Sequence, residues 1–243
     1  MTTGARDEDQ ERRAMRTRSR TAWRVVKRLT VHEFKAFHSL GLWIARRRHQ
    51  IGPGAHGAGY TQAQTALIFG FLFVALVETV VLAFLIPWPT VHAIVTFIDV
   101  YGVLQILGLH AACVTRPHVA DADGSLRLRY GALFDLRIRA EDMLSVRVDR
   151  RYPQGKHFQL SEDGVLDVLV GGQTTVTVEL AEPVTFVRPL GARGQARVFR
   201  FNADDPAALV AALKQARAGE EASRAGEKAP RAAEEAQGHA GAN

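Results

Sequence analysis

A single cysteine, Cys113, stands in 243 residues, which excludes an intramolecular disulfide and any cysteine-based zinc cluster; it reads as a buried structural thiol. The first 22 residues alternate acidic and basic side chains without an apolar stretch, so no cleavable signal peptide is expected, and Arg12-Arg13 is not a twin-arginine signal. Also missing are a nucleophile elbow, a phosphate loop and a zinc signature, so a non-enzymatic protein without cofactor or metal is expected. Three near misses fail for stated reasons. Gly52-Pro-Gly-Ala-His-Gly57 fits the glycine string of dinucleotide sites but has neither a strand before it nor a soluble helix after it. His32-Glu33 would need histidine where Ala36 stands to form a zinc helix, and His32 and His38 fall on different helix faces. Asp121-Ala-Asp-Gly124 lacks the later acidic ligands of a calcium loop and reads as a β-turn.

Long apolar runs, in contrast, are present twice. Ala66 to Ile86 and Val91 to Val114 are separated by Pro87-Trp88-Pro89-Thr90, and at about 1.5 Å per residue either can cross a hydrocarbon layer of roughly 30 Å. The turn between them carries no Lys or Arg, whereas Arg46, Arg47 and Arg48 precede the first run and Arg116 follows the second. Retention of positive charge on the inner side predicts a multi-pass protein of the cell (inner) membrane, both termini cytoplasmic, with Trp88 as an interface anchor at the outer turn. A mean hydropathy near zero hides the runs by averaging. The net charge of +6 is just as uneven: residues 1–49 hold 13 Lys/Arg against 5 Asp/Glu, the rest 18 against 20.

The chain divides accordingly. Residues 1–20 form a basic N-terminus too polar to offset its ordering entropy, expected to be disordered. Residues 21–49 predict an amphipathic helix: Trp23, Val26, Thr30, Phe34, Phe37, Gly41 and Ile44 fall within about 80° of one another at 100° per residue, with Arg24, Arg28, Lys35 and Arg46 elsewhere. Such a helix before a span is expected to lie along the inner leaflet, with its aromatics among acyl chains and Arg24, Arg28, Arg46, Arg47 and Arg48 near anionic headgroups. Packing of this helix on the soluble domain is the alternative. Residues 50–64 read as a Gly-rich bend and 65–114 as the transmembrane hairpin, with helices at about 65–86 and 91–114. From 115 to 217 the period becomes alternating, as in Leu126, Leu128 and Tyr130 against Arg127 and Arg129, and predicts seven or eight short half-buried strands. A closing helix follows, capped by Asp204 or Asp205, with Pro206 in its first turn and Leu209, Val210 and Leu213 as its apolar face. Residues 218–243 are low-complexity and expected to be disordered.

The strand count, the Asp-Asp-Pro-Ala-Ala-Leu-Val-Ala-Ala-Leu helix after the last strand, and the hairpin before the domain together resemble the bacterial PH-like domains. Over residues 20 to 217, Glu33-Phe-Lys-Ala-Phe-His38 and Gly108-Leu-His-Ala-Ala-Cys113-Val-Thr-Arg-Pro also resemble an uncharacterised family of two-span integral membrane proteins from high-GC bacteria. The resemblance implies an α+β membrane protein: a two-helix hairpin with a preceding amphipathic helix, then a small PH-like β-sandwich or barrel capped by a C-terminal helix. It implies no reaction, since such folds bind lipids, peptides or proteins through varied loops.

Charge inside the apolar runs is the sharpest candidate site, because a mid-depth carboxylate costs several kcal/mol unless protonated or paired. Glu78 lies nine residues before Pro87 and Asp99 ten after Pro89, both about 14 to 15 Å from the turn. His92, Asp99 and His110 return to within about 20° of one another on the second helix, making one polar stripe. Two readings stand: a protonation-coupled or ion site in which Glu78 and Asp99 share a proton, or polar glue to Thr79, Tyr101 or another copy. A pore would require a homo-oligomer or partner subunits. Nucleic acid is disfavoured as a partner, because the basic residues adjoin a span and the strand domain has no excess positive charge. The expected role is a scaffold or regulatory adaptor that presents its β domain to an unidentified cytoplasmic or membrane protein or to lipid, with Arg150 to Gly164 as either the contact segment or a disordered connector. A sensor or transport accessory subunit is the alternative.

Overall fold

The computed structural model describes residues 30, 31, 33–47, 49–189, 191–220, 222 and 223. The expectations for residues 1–20, for Trp23, Arg24, Arg28, His32 and Arg48, and for most of 218–243 lie outside the described residues. Helix α1 takes in residues 33–44 and strand β1 is His56–Ala58. Two long helices follow, α2 (Gln62–Leu85) and α3 (Pro89–Thr115). Then come β2 (His118–Ala120), β3 (Leu126–Tyr130), β4 (Phe134–Ile138), a 3-10 turn at Ala140–Asp142, β5 (Met143–Arg151), β6 (Phe158–Leu160), β7 (Val165–Val168), β8 (Thr174–Val187) and β9 (Arg193–Phe201). Helix α4 closes the chain over residues 206–220.

The helix ends follow from proline. Ile86 leaves α2 in an extended conformation ahead of Pro87, and Pro89 opens α3 at a position whose N–H would have no helical partner. Pro117 ends α3 after Arg116. None of the most apolar stretch of α2 is buried within the protein, and only 22% of that of α3. Phe71, Phe73, Phe84, Ile94 and Phe97 all stand exposed.

Two sheets share one core. Strands β1-β2-β3-β4 form an antiparallel sheet; the second runs β5-β8-β9-β7-β6, with β7 and β9 parallel and the other pairs antiparallel. Phe134, Phe158, Phe186 and Phe199 meet across the sheets at ring separations of 5.3 to 6.1 Å. Leu209, Val210 and Leu213 of α4 are buried in that core, as the spacing predicts.

The structure corrects the sequence reading in several places. The Gly-rich segment 50–64 is more than a bend: His56–Ala58 pairs antiparallel with β2, His56 opposite Ala120 and Ala58 opposite His118. The β module therefore extends outside residues 115–217. The strands are not all short: Thr174–Val187 is one strand of 14 residues, which bulges at Ala181-Glu182-Pro183 where proline has no N–H to give the ladder. Within the supposed contact segment 150–164, Phe158 and Leu160 pack on the core. Asp205 caps α4, its Oδ1 accepting the Ala208 N–H at 2.9 Å, whereas Asp204 serves a different helix.

Asp204 Oδ1 accepts the Gln62 N–H at 3.0 Å and so caps α2 from the segment between β9 and α4, 142 residues later in the chain. Its own N–H donates to Gly59 O at 2.8 Å. Burial raises the Asp204 carboxyl above its usual range, opposed by the N–H groups of Gln62 and Thr61. Gly171, in the β7–β8 turn, presses on Ala63 so closely that an added Cβ would stand 2.6 Å from the Ala63 Cβ. The β module thus grips the first turn of α2 from two loops. Asp204→Ala is expected to lower stability by about 0.5–2 kcal/mol, with Asp204→Asn retaining most of it, as read by thermal unfolding of the full chain.

Candidate functional site

Helix α3 is flanked on two sides. At 100° per residue, His92, Asp99, Ile106 and His110 share the side toward α2, and Ile106 and Ile68 line one cavity there. Gly108, about 200° from Ile106, meets α1: an added Cβ would lie 3.4 Å from Ala36. Close backbone approach needs these small residues. The Tyr101 hydroxyl and Gln105 Nε2 both donate to Glu33 Oε1, the latter at 3.0 Å. Helix α1 therefore runs along the C-terminal half of α3, with Ala36 and Ser39 buried, rather than standing apart from it. Its aromatic arc stays open, Phe34 being 71% and Ile44 75% exposed, with Phe37 at the edge. Gly108→Leu is expected to lift α1 from α3 and to speed tryptic cleavage at Lys35 and Arg46 several-fold; unchanged cleavage would refute the contact.

The polar stripe of α3 is present as a stripe, but its expected partners are not. Glu78 is exposed and makes no hydrogen bond with Asp99 among the described residues. Asp99 Oδ2 is buried without a hydrogen-bond partner among the described residues. Thr79 Oγ1 donates to Ala75 O in its own helix, and Tyr101 is taken by Glu33, so neither holds a carboxylate of the hairpin. His92 is half-buried near the start of α3, and Trp88 is exposed in the turn. The buried His110 ring makes edge contacts with Trp43 at 5.9 Å and Phe69 at 5.7 Å, and its Nδ1 has no partner. It borders a half-open cavity of about 240 Å³ whose lining includes Ile68, Ile106, Leu109, Tyr130 and Leu133.

A buried polar knot ties the helices to the sheets. The Tyr60 ring stacks on His118 at 4.5 Å, and its hydroxyl accepts the Gly131 N–H at 2.6 Å. Gly131 adopts φ +51° with its Cα against Cys113, a position where a side chain would be strained and crowded. The Arg129 N–H donates to His118 Nδ1 at 3.2 Å, which makes Nδ1 the acceptor and Nε2 the protonated nitrogen. His118 Nε2 accordingly donates to Asn202 O at 3.0 Å, and Asn202 Nδ2 donates to Tyr60 O at 3.2 Å. Burial holds His118 down at about 3, so it is neutral at physiological pH.

Cations gather where α1 and α3 end. Arg129, expected on a solvent face of β3, is only 1% exposed: segment 49–50 covers it, His49 O accepting from Nη1 at 3.0 Å and Gln50 Oε1 from Nη2 at 3.4 Å. Asp135 takes both hydrogen bonds of Arg127 at 2.8 Å and lies 3.7 Å from Arg129 Nε. Arg116, 9% exposed, has no ion pair among the described residues, and its Nε has no hydrogen-bond partner. The covering turn is bent through two left-handed non-glycine residues, Arg46 (φ 53°) and Gln50 (φ 51°), each costing on the order of 1–3 kcal/mol. Beside it a cleft of about 500 Å³ is lined by Trp43, Ile44, Arg46, Arg47, Val114 and Thr115. His49 is pushed below its usual value by burial and then by Arg116, Arg129, His38 and Arg127.

Comparison with known proteins finds no match among family models, curated proteins or solved structures. Sequence reasoning singled out Arg46, Arg47, Glu78, Asp99, His92 and His110 but passed over Tyr60, Asp204, Arg116 and Arg129 as members of a site. Tyr60 could have been noticed as the lone aromatic of a Gly-rich stretch; Asp204 and Arg129 depend on contacts with residues 142 and 80 positions away, for which no local pattern exists, and Arg116 reads only as charge at the end of the second run.

Proposed function

We propose that α2 and α3 cross a bilayer as a hairpin and hold the β module at its inner face, where the module acts as a non-enzymatic scaffold or regulatory adaptor for a protein or lipid. The observation that carries this reading is the exposure of the apolar pair. A core helix of a soluble protein hides its large side chains, whereas α2 hides none of its most apolar stretch. The basic residues after α1 and the uncharged turn around Trp88 favour an inner location for both termini. The two sheets closed by α4 agree with the PH-like resemblance, and with it a binding role in place of catalysis. Alkaline carbonate extraction of native membranes tests insertion: the chain is expected to remain in the pellet, and release into the supernatant would refute the reading. Crosslinking in the same membranes, followed by identification of neighbours, is expected to recover a specific partner.

One observation favours the sensor or transport accessory reading, namely the unpartnered Asp99 Oδ2 on the α2 side of α3. That reading requires the intramembrane carboxylates to titrate. Glu78→Gln with Asp99→Asn is then expected to abolish a pH-dependent change in the crosslinking pattern while leaving insertion intact. A double variant that behaves as the wild type makes these carboxylates packing groups.

A further inference from the structure

We propose that the cleft between the ends of α1 and α3 seats the phosphoryl headgroup of an anionic phospholipid. The inference rests on the membrane reading and gives it a specific ligand site.

Its first support is an excess of positive charge over its counter-charges. Three guanidinium groups, Arg116, Arg127 and Arg129, stand around one carboxylate, Asp135, which Arg127 already engages with two hydrogen bonds. Asp121 is the other acid that bears on Arg127 and Arg129. Arg116 is nine-tenths buried, its Nε lacks a partner, and its neighbour Thr115 lines the cleft. A buried guanidinium held in no close ion pair is costly, and a phosphoryl oxygen is the group its planar fork matches best. Arg46 and Arg47 add two exposed cations at the cleft wall, carried on a turn whose left-handed residues hold it in one unusual conformation. His49 stands beside these groups and is pushed below its usual value by burial first and then by the same cations.

The second support separates a lipid from a soluble anion. Half of the lining, Trp43, Ile44 and Val114, is apolar, and Ile44 continues outward into the exposed arc with Phe37 and Phe34. A phosphate with an attached glycerol and acyl chains uses both halves, whereas inorganic phosphate uses only the cations. The cleft also lies at the inner end of α3, the level at which headgroups begin if the helices span.

The full-length protein, purified in detergent and stripped of lipid, provides the test. Short-chain phosphatidylglycerol is expected to raise Tm by roughly 5 °C, and phosphatidylcholine of the same chain length to leave it in place. Arg46→Ala with Arg47→Ala, both exposed, is expected to remove at least half of the rise without lowering the lipid-free Tm; Arg116→Gln, if it folds, is expected to remove most of it. Equal responses to the two lipids, or a full response in the double variant, would overturn the site. A full rise with inorganic phosphate alone would overturn the lipid assignment. A protein that resists carbonate but shows no headgroup preference fails this inference alone, whereas carbonate release fails the membrane reading first.

Discussion

Tyr60→Ala is expected to destabilise the β module by about 3–5 kcal/mol, read as a loss of Tm or urea midpoint in the full-length protein. The ring is fully buried between His118 and Tyr130, so its removal leaves a cavity at the seam between the sheets and the hairpin. The hydroxyl accounts for a separate part. Tyr60→Phe keeps the ring stack but strands the Gly131 N–H, and about 1–3 kcal/mol is expected from that alone. Burial raises the Tyr60 hydroxyl well above its usual range, so it remains a neutral phenol throughout the working range. A Tyr60→Ala loss under 1 kcal/mol would contradict the knot. The same reasoning predicts that residues 115–217 alone fold poorly, because that segment lacks β1, leaves the β2 edge unpaired and has no Tyr60 to cover His118.

The second large effect is acid destabilisation through His118. Its folded value of about 3 lies below the unfolded value of 6.5, so between these limits the unfolded chain binds the extra proton. Stability from this group is complete above pH 6.5 and is lost as pH falls toward 3, at about 1.4 kcal/mol per unit and on the order of 4–5 kcal/mol in all. The window from pH 6.5 to 5 keeps Asp123, Asp149 and Glu179 out of the change, because all three are held below their usual values by hydrogen bonds and arginine partners and lose their contribution only at lower pH. His49, also depressed, has the same sign and persists in a His118 variant. His118→Gln is expected to be less stable at pH 7 yet flatter by about 1.4 kcal/mol per unit between pH 6.5 and 5. An unchanged slope would remove His118 as the cause.

Periodicity made the long elements legible. The apolar runs, the alternation of β3 and β4 and the Leu209-Val210-Leu213 face each record a local period that the structure keeps. Three-residue strands such as His56–Ala58, His118–Ala120 and Phe158–Leu160 are too short to show a period, and their strand character comes from neighbours distant in sequence. Arg129 marks the limit of the alternation rule. It sits on the polar face of β3 as read, but segment 49–50 covers that face, so a nominal surface arginine becomes a buried ligand of His49 O. In the same way Asp204 reads as the cap of the helix that follows it, while its carboxylate reaches a helix 142 residues earlier.

Topology is the most direct test of the central claim. In a Cys113→Ser background, a cysteine placed by Trp88→Cys in the turn and another by Ser223→Cys after residue 220 can be compared for labelling by a membrane-impermeant maleimide in sealed, right-side-out vesicles. The account predicts labelling of the turn in intact vesicles and of the C-terminal position only after permeabilisation. Equal labelling of both in intact vesicles, or labelling of the turn only after permeabilisation, would contradict it.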